Sequence, residues 1–457
     1  MSSRRDPGAP PVRRALRSAK LVALPVAFAG RQAAGAGRRA LGRPAQEVNR
    51  DIQARTAEHM FAVLGELKGC AAKLGQLLAI YQLALPRDIA APFQVALARL
   101  QDSAPVMLPA TVHAVLAEHL GPDWRELFRE FDDRRAAAAS IGQVHRGIWH
   151  DGRPVAVKVM YPGARAAVES DLAQLRRIST LASVFLPGAD VKSVTEALCE
   201  SVRAELDYAA EADNQRAFAR TYAGSADFRV PEVLDQRGDV LVSEWLDGIA
   251  ATRLIESGSR AQRDRVGELM MRFVLTGWEQ HGLLYCDPHP GNLRLLADGR
   301  LGVVDFGACA PWPHPGFTRL VVEMCDAIFN GGPAAVETAV RTHGFALPGR
   351  TFDAVALDAA LSACAEPVRH PRFRITTPWL RKQVLRTTAL RLTNVMRELT
   401  LPPDCTPFAR AALTMVGTLS QLECECDFGD ELERSVPELG EVFAIMRSAR
   451  APGVSAN

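Results

Sequence analysis

The chain has 457 residues, of which 48% are hydrophobic, and its formal net charge at pH 7 is +2. No stretch reaches the roughly 18 uninterrupted apolar residues of a membrane-spanning helix, so we expect a soluble or peripheral protein with a core larger than one small domain. The nine cysteines are scattered and odd in number, which argues against a disulfide-stapled secreted domain and favours a reducing compartment.

Residues 1–50 form a basic head with eleven Lys or Arg residues and two acids, so its net charge is +9 and that of the remaining chain is −7. Its prolines and glycines predict disorder, apart from an arginine-rich amphipathic piece over residues 12–28. Three interpretations stay open: a segment that binds an anionic membrane surface, a solvated tail without function, and a cleaved targeting segment such as a mitochondrial presequence. The basic residues are not interleaved with stacking aromatics, so nucleic acid is not an expected partner.

Residues 51–120 contain a helical pattern. Apolar side chains recur at alternating steps of four and three, which places them on one face of a helix. Lys73 and Gln76 lie beside this face, and a lysine against a packing face needs an anionic partner. The apolar positions are Met60, Leu64, Leu67, Ala71, Leu74 and Leu78.

An alanine-rich stretch leads to Ser140, and the segment from Ile141 to Ile148 has the character of a strand. Asp151 and Gly152 then form a hairpin turn into the next strand. By propensity alone the alanines favour a helix fragment, but we expect a strand, a loop and a second strand.

Residues 155–160 have the alternating apolar character of a strand. They resemble the strand of protein kinases whose lysine contacts the α and β phosphates. The chain has 48 arginines and only six lysines, so a basic residue needed only for its charge would here be arginine. Lys158 is therefore predicted to contact phosphate, because a compact ammonium group on a thin stem suits that role better than a planar guanidinium. The alternative is an edge-strand lysine that reaches solvent.

In kinases a loop with three glycines covers these phosphates, whereas the alanine-rich stretch is followed by one glycine, Gly142. The Cβ atom of alanine disfavours positive φ and keeps the backbone farther from a phosphate. We therefore expect the nucleotide to sit differently from the usual kinase pose, with Ala138, Ala139 and Ser140 beside it.

Three acids follow the predicted phosphate-binding strand. Glu205 and Asp207 flank an apolar residue, and Glu211 comes next at roughly helical spacing. One of them is expected to pair with Lys158, as the glutamate of helix αC does in kinases, and another with Lys73. The sequence leaves the choice open, and ordinary surface charge pairs at helical spacing are the alternative.

Residues 240–248 read as an apolar strand that ends in polar and glycine residues. This segment is expected to connect two lobes, and the backbone around Glu244 is expected to bind adenine.

Two aspartates eighteen positions apart carry the strongest functional signal. Asp287 is followed five residues later by Asn292, and Asp305 begins the motif Asp-Phe-Gly after a short apolar run. In a kinase-type site the first aspartate orients or deprotonates the acceptor, the asparagine holds magnesium, and the second aspartate bridges the metal to the phosphates. A turn at residues 297–300 predicts a short hairpin that delivers Asp305 to a cleft. A second Asp-Phe-Gly, at Asp427, lacks the apolar run and is interpreted as a chance match.

Four segments together resemble the UbiB family of atypical protein-kinase-like proteins, also called AarF or ADCK, over about residues 66–428. They are Lys-Leu-Gly-Gln at 73–76, Ala-Ala-Ser-Ile-Gly-Gln-Val-His at 138–145, Glu-Leu-Asp at 205–207, and Asp-Pro-His-Pro-Gly-Asn at 287–292 with the first Asp-Phe-Gly.

The resemblance implies an α+β, two-lobed protein-kinase-like fold with an N-terminal helical extension over the active-site cleft and a helix-rich C-lobe. The boundaries are a head at 1–50, the extension at 51–120, an N-lobe with a helical insertion at 121–247, a C-lobe at 248–450 and a tail at 451–457. From about residue 312 onward the apolar pattern predicts a series of helices, at 317–329, 352–364, 384–396 and 408–422.

The resemblance also implies an atypical kinase or ATPase that binds ATP or ADP with Mg²⁺ and supports ubiquinone or other isoprenoid-lipid metabolism, with a lipid or quinone precursor as an expected partner. Lys73 and Gln76 would approach the phosphates and hinder the transfer of phosphate to large substrates. One alternative is a pseudokinase that carries a lipid or quinone precursor without turnover. Another is a small-molecule kinase, against which the extension argues. The expected location is the cytoplasm, with contact to the inner membrane face, and the alternative is the mitochondrial matrix if the head is a presequence.

Overall fold

The computed structural model describes residues 106–185, 191–312, 316–346, 348–390 and 399–449, together with four single positions nearer the N-terminus. The basic head and the predicted Lys73 and Gln76 site lie outside the described residues. The chain divides into two compact units, the first comprising Met1–Val106 with Tyr161–Leu206 and the second Met107–Met160 with Asp207–Asn457.

Up to Ala250 the elements are, in chain order, α1 (Pro109–Leu120), β1 (Phe128–Ala139), β2 (Gly142–Trp149), β3 (Pro154–Met160), α2 (Ala164–Phe185), α3 (Val191–Ala204), α4 (Tyr208–Thr221), β4 (Phe228–Arg229), β5 (Val233–Arg237), β6 (Val240–Glu244) and β7 (Ile249–Ala250). Helices α2 and α3 belong to the first unit. There Arg203 on α3 makes a bidentate ion pair with Glu169 on α2, at 2.8 and 2.9 Å. Helix α1, which was predicted within the extension, belongs to the second unit.

Five strands of the second unit form one antiparallel sheet in the order β1-β2-β3-β6-β5. The predicted turn between β2 and β3 is confirmed, and it includes Gly152 at φ 99°, where a residue with a Cβ atom would be strained. Because side chains alternate along a strand, β3 buries Val155, Val157 and Val159 and directs Lys158 to the opposite face.

A buried polar chain ties the start of the second unit to this sheet. Gln143 accepts a hydrogen bond from the N–H of Met107 at 3.0 Å, and its amide nitrogen donates to Nε2 of His145 at 2.8 Å. His145 then donates from Nδ1 to the carbonyl oxygen of Asp132 at 2.9 Å. This pattern requires a neutral imidazole, and burial lowers the pKa of His145 in agreement with it. The bonds satisfy polar groups that would otherwise destabilise the sheet.

Beyond β7 the second unit is mainly helical. Its central helix, α6, begins with a capping box in which Ser259 and Gln262 exchange hydrogen bonds, and most of its later residues are buried. The elements are α5 (Ala251–Ser257), α6 (Arg260–Leu275), α7 (Trp278–His281), β8 (Leu283–Tyr285), β9 (Leu293–Leu295), β10 (Leu301–Val303), β11 (Cys309–Pro311), α8 (Phe317–Asp326), α9 (Gly332–Thr342), α10 (Ala354–Cys364), α11 (Glu366–Arg369), β12 (Phe373–Arg374), α12 (Thr377–Leu390), α13 (Thr406–Leu422), β13 (Glu425–Cys426), α14 (Phe428–Ser435) and α15 (Leu439–Ser448).

The sheet and the helical part are the two lobes expected of a protein-kinase-like fold. Helices α8, α10 and α13 confirm three of the predicted C-lobe helices, and the fourth lies partly outside the described residues. The strand pair β12–β13 and a π-helical turn at Ala327–Gly331 were not expected, because elements this short leave no period in the sequence. The predicted extension over the cleft lies outside the described residues. In the part of the chain that the structure describes, no helix combines the length and apolar character needed to cross a bilayer.

Candidate active site

Lys158 is the centre of a charged cluster in the second unit. Its ammonium group donates to the two carboxylate oxygens of Glu211 at 2.7 and 2.9 Å and to Oδ2 of Asp305 at 3.2 Å. The side chains of Lys158 and Glu211 are only 15% and 3% exposed, so the ion pair is nearly buried. The ring of Tyr208 lies 5.0 Å from the same ammonium group and adds a cation–π contact. The cluster therefore joins β3, helix α4 and the Asp-Phe-Gly motif.

Two opposing effects act on the pKa of Lys158. Burial lowers it, whereas the charges of Asp305 and Glu211 raise it, and the result is a pKa well above the usual value of a lysine. The side chain is therefore a fixed cation at neutral pH. A cation held in place by carboxylates on two different elements is well suited to bind phosphate oxygens.

The structure distinguishes the three acids that the sequence left open. Glu211, on α4, is the partner of Lys158. Asp207 precedes that helix, and its carboxylate accepts the N–H of Ala210 at 3.0 Å, so Asp207 is the N-cap. Glu205 belongs to the first unit. The predicted pairing of Lys73 lies outside the described residues.

Helix α4 also holds the Asp-Phe-Gly motif. Asn214 donates from Nδ2 to the carbonyl oxygen of Phe306 at 3.1 Å, and the rings of Phe218 and Phe306 lie 5.1 Å apart. These contacts were not predicted, although a signal was present: Glu211, Asn214 and Phe218 recur at steps of three and four and so share one helix face. A shift of α4 would therefore move the partner of Lys158 and the backbone next to Asp305 together.

Asp287 and Asn292 lie in a loop that is held by hydrogen bonds within the loop and to neighbouring elements. The side-chain amide of Asn292 donates to the carbonyl oxygen of Asp287 at 3.1 Å, and Thr418 on α13 donates to another loop carbonyl at 2.9 Å. The N–H of Val304 donates to the carbonyl oxygen of Asn292 at 3.0 Å, which holds Asn292 next to the strand that leads to Asp305. The predicted hairpin formed by β9 and β10 is confirmed. The fold thus brings the catalytic candidate and the two metal candidates together.

Asn292 and Asp305 are the candidate ligands for magnesium. Among the described residues there is no group of three or more His, Cys, Asp or Glu side chains that would hold a metal ion on its own. Mg²⁺ commonly keeps several waters and binds one or two protein ligands together with substrate phosphates. The carboxylate of Asp305 accepts hydrogen bonds from Lys158 and from the N–H of Gly307 at 3.1 Å, and its oxygens have further lone pairs for a metal. The two residues fit the ion, whose binding stays a prediction.

The alanine-rich segment is extended rather than helical, and the predicted strand, turn and strand that follow it are β2, the turn at Gly152 and β3. Strand β1 extends through Ala138 and Ala139, and Ser140 lies in the two-residue turn before β2. The single glycine of the segment has a packing role. A Cβ atom at Gly142 would lie 2.3 Å from the carbonyl oxygen of Val159 on β3, which no real contact tolerates.

Replacing Gly142 by alanine should lower the free energy of unfolding by about 2 kcal/mol, because an added methyl group in a fully packed position forces a backbone shift. Thermal unfolding followed by circular dichroism measures this change. Ser140→Ala, in the adjacent turn, is the control and should change the midpoint little. An unchanged midpoint for Gly142→Ala would mean that β2 and β3 separate without cost.

The backbone around Glu244 is predicted to bind adenine, and the Glu244 side chain is used within the fold. Its carboxylate accepts from Arg229 at 2.6 Å and from the N–H of Glu232 at 3.1 Å, and its own N–H donates to the carbonyl oxygen of Glu232 at 2.9 Å. The next residues differ, because the N–H groups of Leu246 and Asp247 donate to no other group in the part of the chain that the structure describes. These two N–H groups are better candidates for contact with a base.

The comparison with known families agrees with this geometry. Residues 99–339 match the ABC1 atypical kinase-like domain. The chain belongs to this family. The matched ABC1 segment includes Lys158, Glu211, Asp287, Asn292 and Asp305, so every part of the charged cluster and of the catalytic loop lies within it.

Atypical kinase coq-8 of Caenorhabditis elegans, a mitochondrial protein by its name, is 30% identical over 297 residues, which are 63% of this chain and 38% of the relative. Atypical kinase COQ8B of Danio rerio is 30% identical over 283 residues, or 61% of this chain and 45% of the relative. The chain therefore spans less than half the length of these two relatives. Among solved structures, the complex of Rv3197 with erythromycin from Mycobacterium tuberculosis has a TM-score of 0.63 and 35% identity, and it covers 86% of this chain and 99% of that protein.

Proposed function

We propose that this ABC1-family protein binds a nucleotide with Mg²⁺ and hydrolyses or transfers its terminal phosphate, in support of ubiquinone or other isoprenoid-lipid metabolism. The observation that carries the proposal is the cluster in which Lys158 contacts both Glu211 and Asp305. A lysine that served only the fold would need one counter-charge, whereas this one connects a helix to the motif that follows β10. The relatives named as atypical kinases support the same assignment.

In this proposal each residue has one task. Lys158 binds the α and β phosphates through its fixed charge. Mg²⁺ bound to Asn292 and Asp305 would neutralise negative charge on the phosphates. Asp287 orients the attacking water or the acceptor hydroxyl and accepts its proton. The hydrogen bond from Asn292 to the carbonyl oxygen of Asp287 fixes the proposed metal ligand relative to the proposed catalytic aspartate.

The remaining predictions complete the proposal. Lys73 and Gln76 approach the phosphates and exclude large protein acceptors, and a lipid or quinone precursor is the expected client. The basic head attaches the protein to an anionic membrane surface. The proposed location is the cytoplasm, in contact with the inner membrane face, and the alternative is the mitochondrial matrix if the head is a presequence, which the two relatives named as mitochondrial support.

Phosphate release from Mg-ATP by the purified protein tests the proposal. Asp305→Asn should abolish turnover and the magnesium-dependent part of the thermal stabilisation by nucleotide. The matched control is Asp427→Asn, which makes the same change in the second Asp-Phe-Gly. There Asp427 caps α14 by accepting the N–H of Asp430 at 2.9 Å, and because asparagine caps a helix about as well as aspartate, this variant should keep both its stability and its turnover. Equal turnover in wild type and Asp305→Asn would refute the assigned role, and stimulation by anionic liposomes would support membrane attachment.

A second candidate function is suggested by the erythromycin complex of Rv3197. The protein could carry a hydroxylated or lipophilic small molecule without turnover, as a pseudokinase. Magnesium-dependent nucleotide binding without phosphate release would favour this carrier role. Transfer of phosphate to erythromycin or another hydroxylated metabolite would instead indicate a small-molecule kinase.

A further inference from the structure

Arg294 stands out among the arginines near the charged cluster. It lies on β9, two residues after Asn292, between Leu293 and Leu295, which are both buried in the helical lobe. Its guanidinium forms no hydrogen bond or ion pair with any other residue that the structure describes. The Arg294 side chain itself is partly buried. A partly buried guanidinium without a bonded partner is costly unless a ligand compensates it.

Small residues make room for Arg294. Strand β9 belongs to a second sheet, of order β4-β10-β9-β7, in which the neighbours of Arg294 are Gly302 on β10 and Ala250 on β7. A Cβ atom at Gly302 would lie 3.1 Å from Leu246 and 3.6 Å from Cβ of Arg294, so a larger residue there would crowd both. The side chain therefore leaves the sheet beside the segment that joins the two lobes.

That segment carries an indole between two arginines. The guanidinium carbons of Arg146 on β2 and Arg294 lie 5.1 and 6.0 Å from the ring centre of Trp245. The indole N–H donates to Asp247 at 2.9 Å, and Arg146 approaches the same carboxylate at 3.9 Å. Asp247 thus contacts the indole and Arg146, whereas the donors of Arg294 stay unused.

The distance from Lys158 identifies what these donors would meet. The N–H of Trp245 donates to the carbonyl oxygen of Pro154 at 2.9 Å. Pro154 lies four residues before Lys158 on β3, or about 13 Å along an extended strand. This spacing is comparable to that between the β phosphate and the far edge of the base in an extended nucleotide. With phosphates at Lys158, the base lies at the Trp245 end.

We propose that Arg294 is a specificity-determining residue whose guanidinium packs against the base of the bound nucleotide and favours purines. The inference rests on the proposed nucleotide-binding function and adds the base contact to it. Guanidinium stacking depends on the face of a ring more than on its edge. ATP and GTP should therefore bind with similar affinity and a pyrimidine nucleotide less tightly, because its ring is smaller.

Affinities of the full chain for Mg²⁺ complexes of ATP, GTP, CTP and inorganic tripolyphosphate, measured by calorimetry, test the proposal. Arg294→Ala should weaken ATP and GTP binding about threefold to thirtyfold, the range for a cation–π contact, reduce the preference over CTP, and leave tripolyphosphate unchanged. Arg294→Leu keeps an apolar stem and should show the same loss. Arg300→Ala is the matched control, because Arg300 lies in the next turn and is bonded to Asp298 at 2.8 Å.

The outcomes separate the two claims. Wild-type affinity for ATP in both Arg294 variants would overturn the base contact and leave the proposed function intact. Equal losses for ATP and tripolyphosphate would also overturn it, because they would indicate a contact to phosphate or a damaged fold. A wild-type protein that binds none of the four ligands would refute both the nucleotide site and the base contact.

Discussion

Replacing Glu211 by leucine should destabilise the protein by about 3 kcal/mol, the lower end of the range for removing one partner of a buried ion pair. The loss arises because Lys158 keeps its charge in a site where only 15% of its side chain is exposed. Asp305, at 3.2 Å, remains as a partial counter-charge and limits the effect. Replacing Lys158 by methionine in the same chain should restore most of the lost stability, because no uncompensated cation then remains.

Thermal unfolding of wild type, the two single variants and the double variant forms a complete cycle. Glu232→Leu serves as the control, because Glu232 is 60% exposed and pairs with Arg153 at 3.2 Å, and its loss should cost less than about 1 kcal/mol. Nucleotide binding should be lost in every variant that lacks Lys158, including the stable double variant. Additive losses in the double variant would show that the ion pair is not energetically coupled and would contradict the assignment of Glu211.

The pairing of Lys158 shows how far sequence reasoning reaches. The alternation around Lys158 and the spacing from Asp287 to Asn292 and Asp305 predict which residues carry chemistry, because those signals are local. The choice of Glu211 needed the start of α4. Asp207 marks that start as the N-cap, a signal that the sequence contains but that competes with the view of Asp207 as a charge partner.

The contacts of the Glu244 side chain could not be predicted, for a different reason. Its position at the end of an apolar strand is readable from the sequence, but its partners are not. Arg229 lies on β4, and Glu232 lies just before β5, so both contacts depend on how distant segments pack. Gly142 is a similar case, because the carbonyl oxygen that excludes a larger residue belongs to the neighbouring strand β3.

Replacing Asp287 by asparagine should reduce phosphate release from Mg-ATP by about 10²- to 10⁴-fold, the usual contribution of a positioned general base. Asparagine has nearly the same shape, and the bonds that the backbone oxygen of Asp287 accepts from Asn292 at 3.1 Å and from the N–H of His289 at 2.7 Å stay available. The amide cannot accept the proton of the attacking water or hydroxyl. Affinity for Mg-ATP should therefore stay within about threefold of wild type, since the lost step is chemical rather than binding.

Steady-state phosphate release and calorimetric nucleotide binding on the same preparations separate these two effects. Asp298→Asn is the control, because Asp298 lies in the exposed turn between β9 and β10 and bonds to Arg300, and its turnover should match wild type. A turnover within threefold of wild type in Asp287→Asn would remove Asp287 from the chemical step, since an amide would then perform the same task as the carboxylate. Loss of affinity together with turnover would instead mean that the carboxylate binds the metal, which would add Asp287 to Asn292 and Asp305 as a third magnesium ligand.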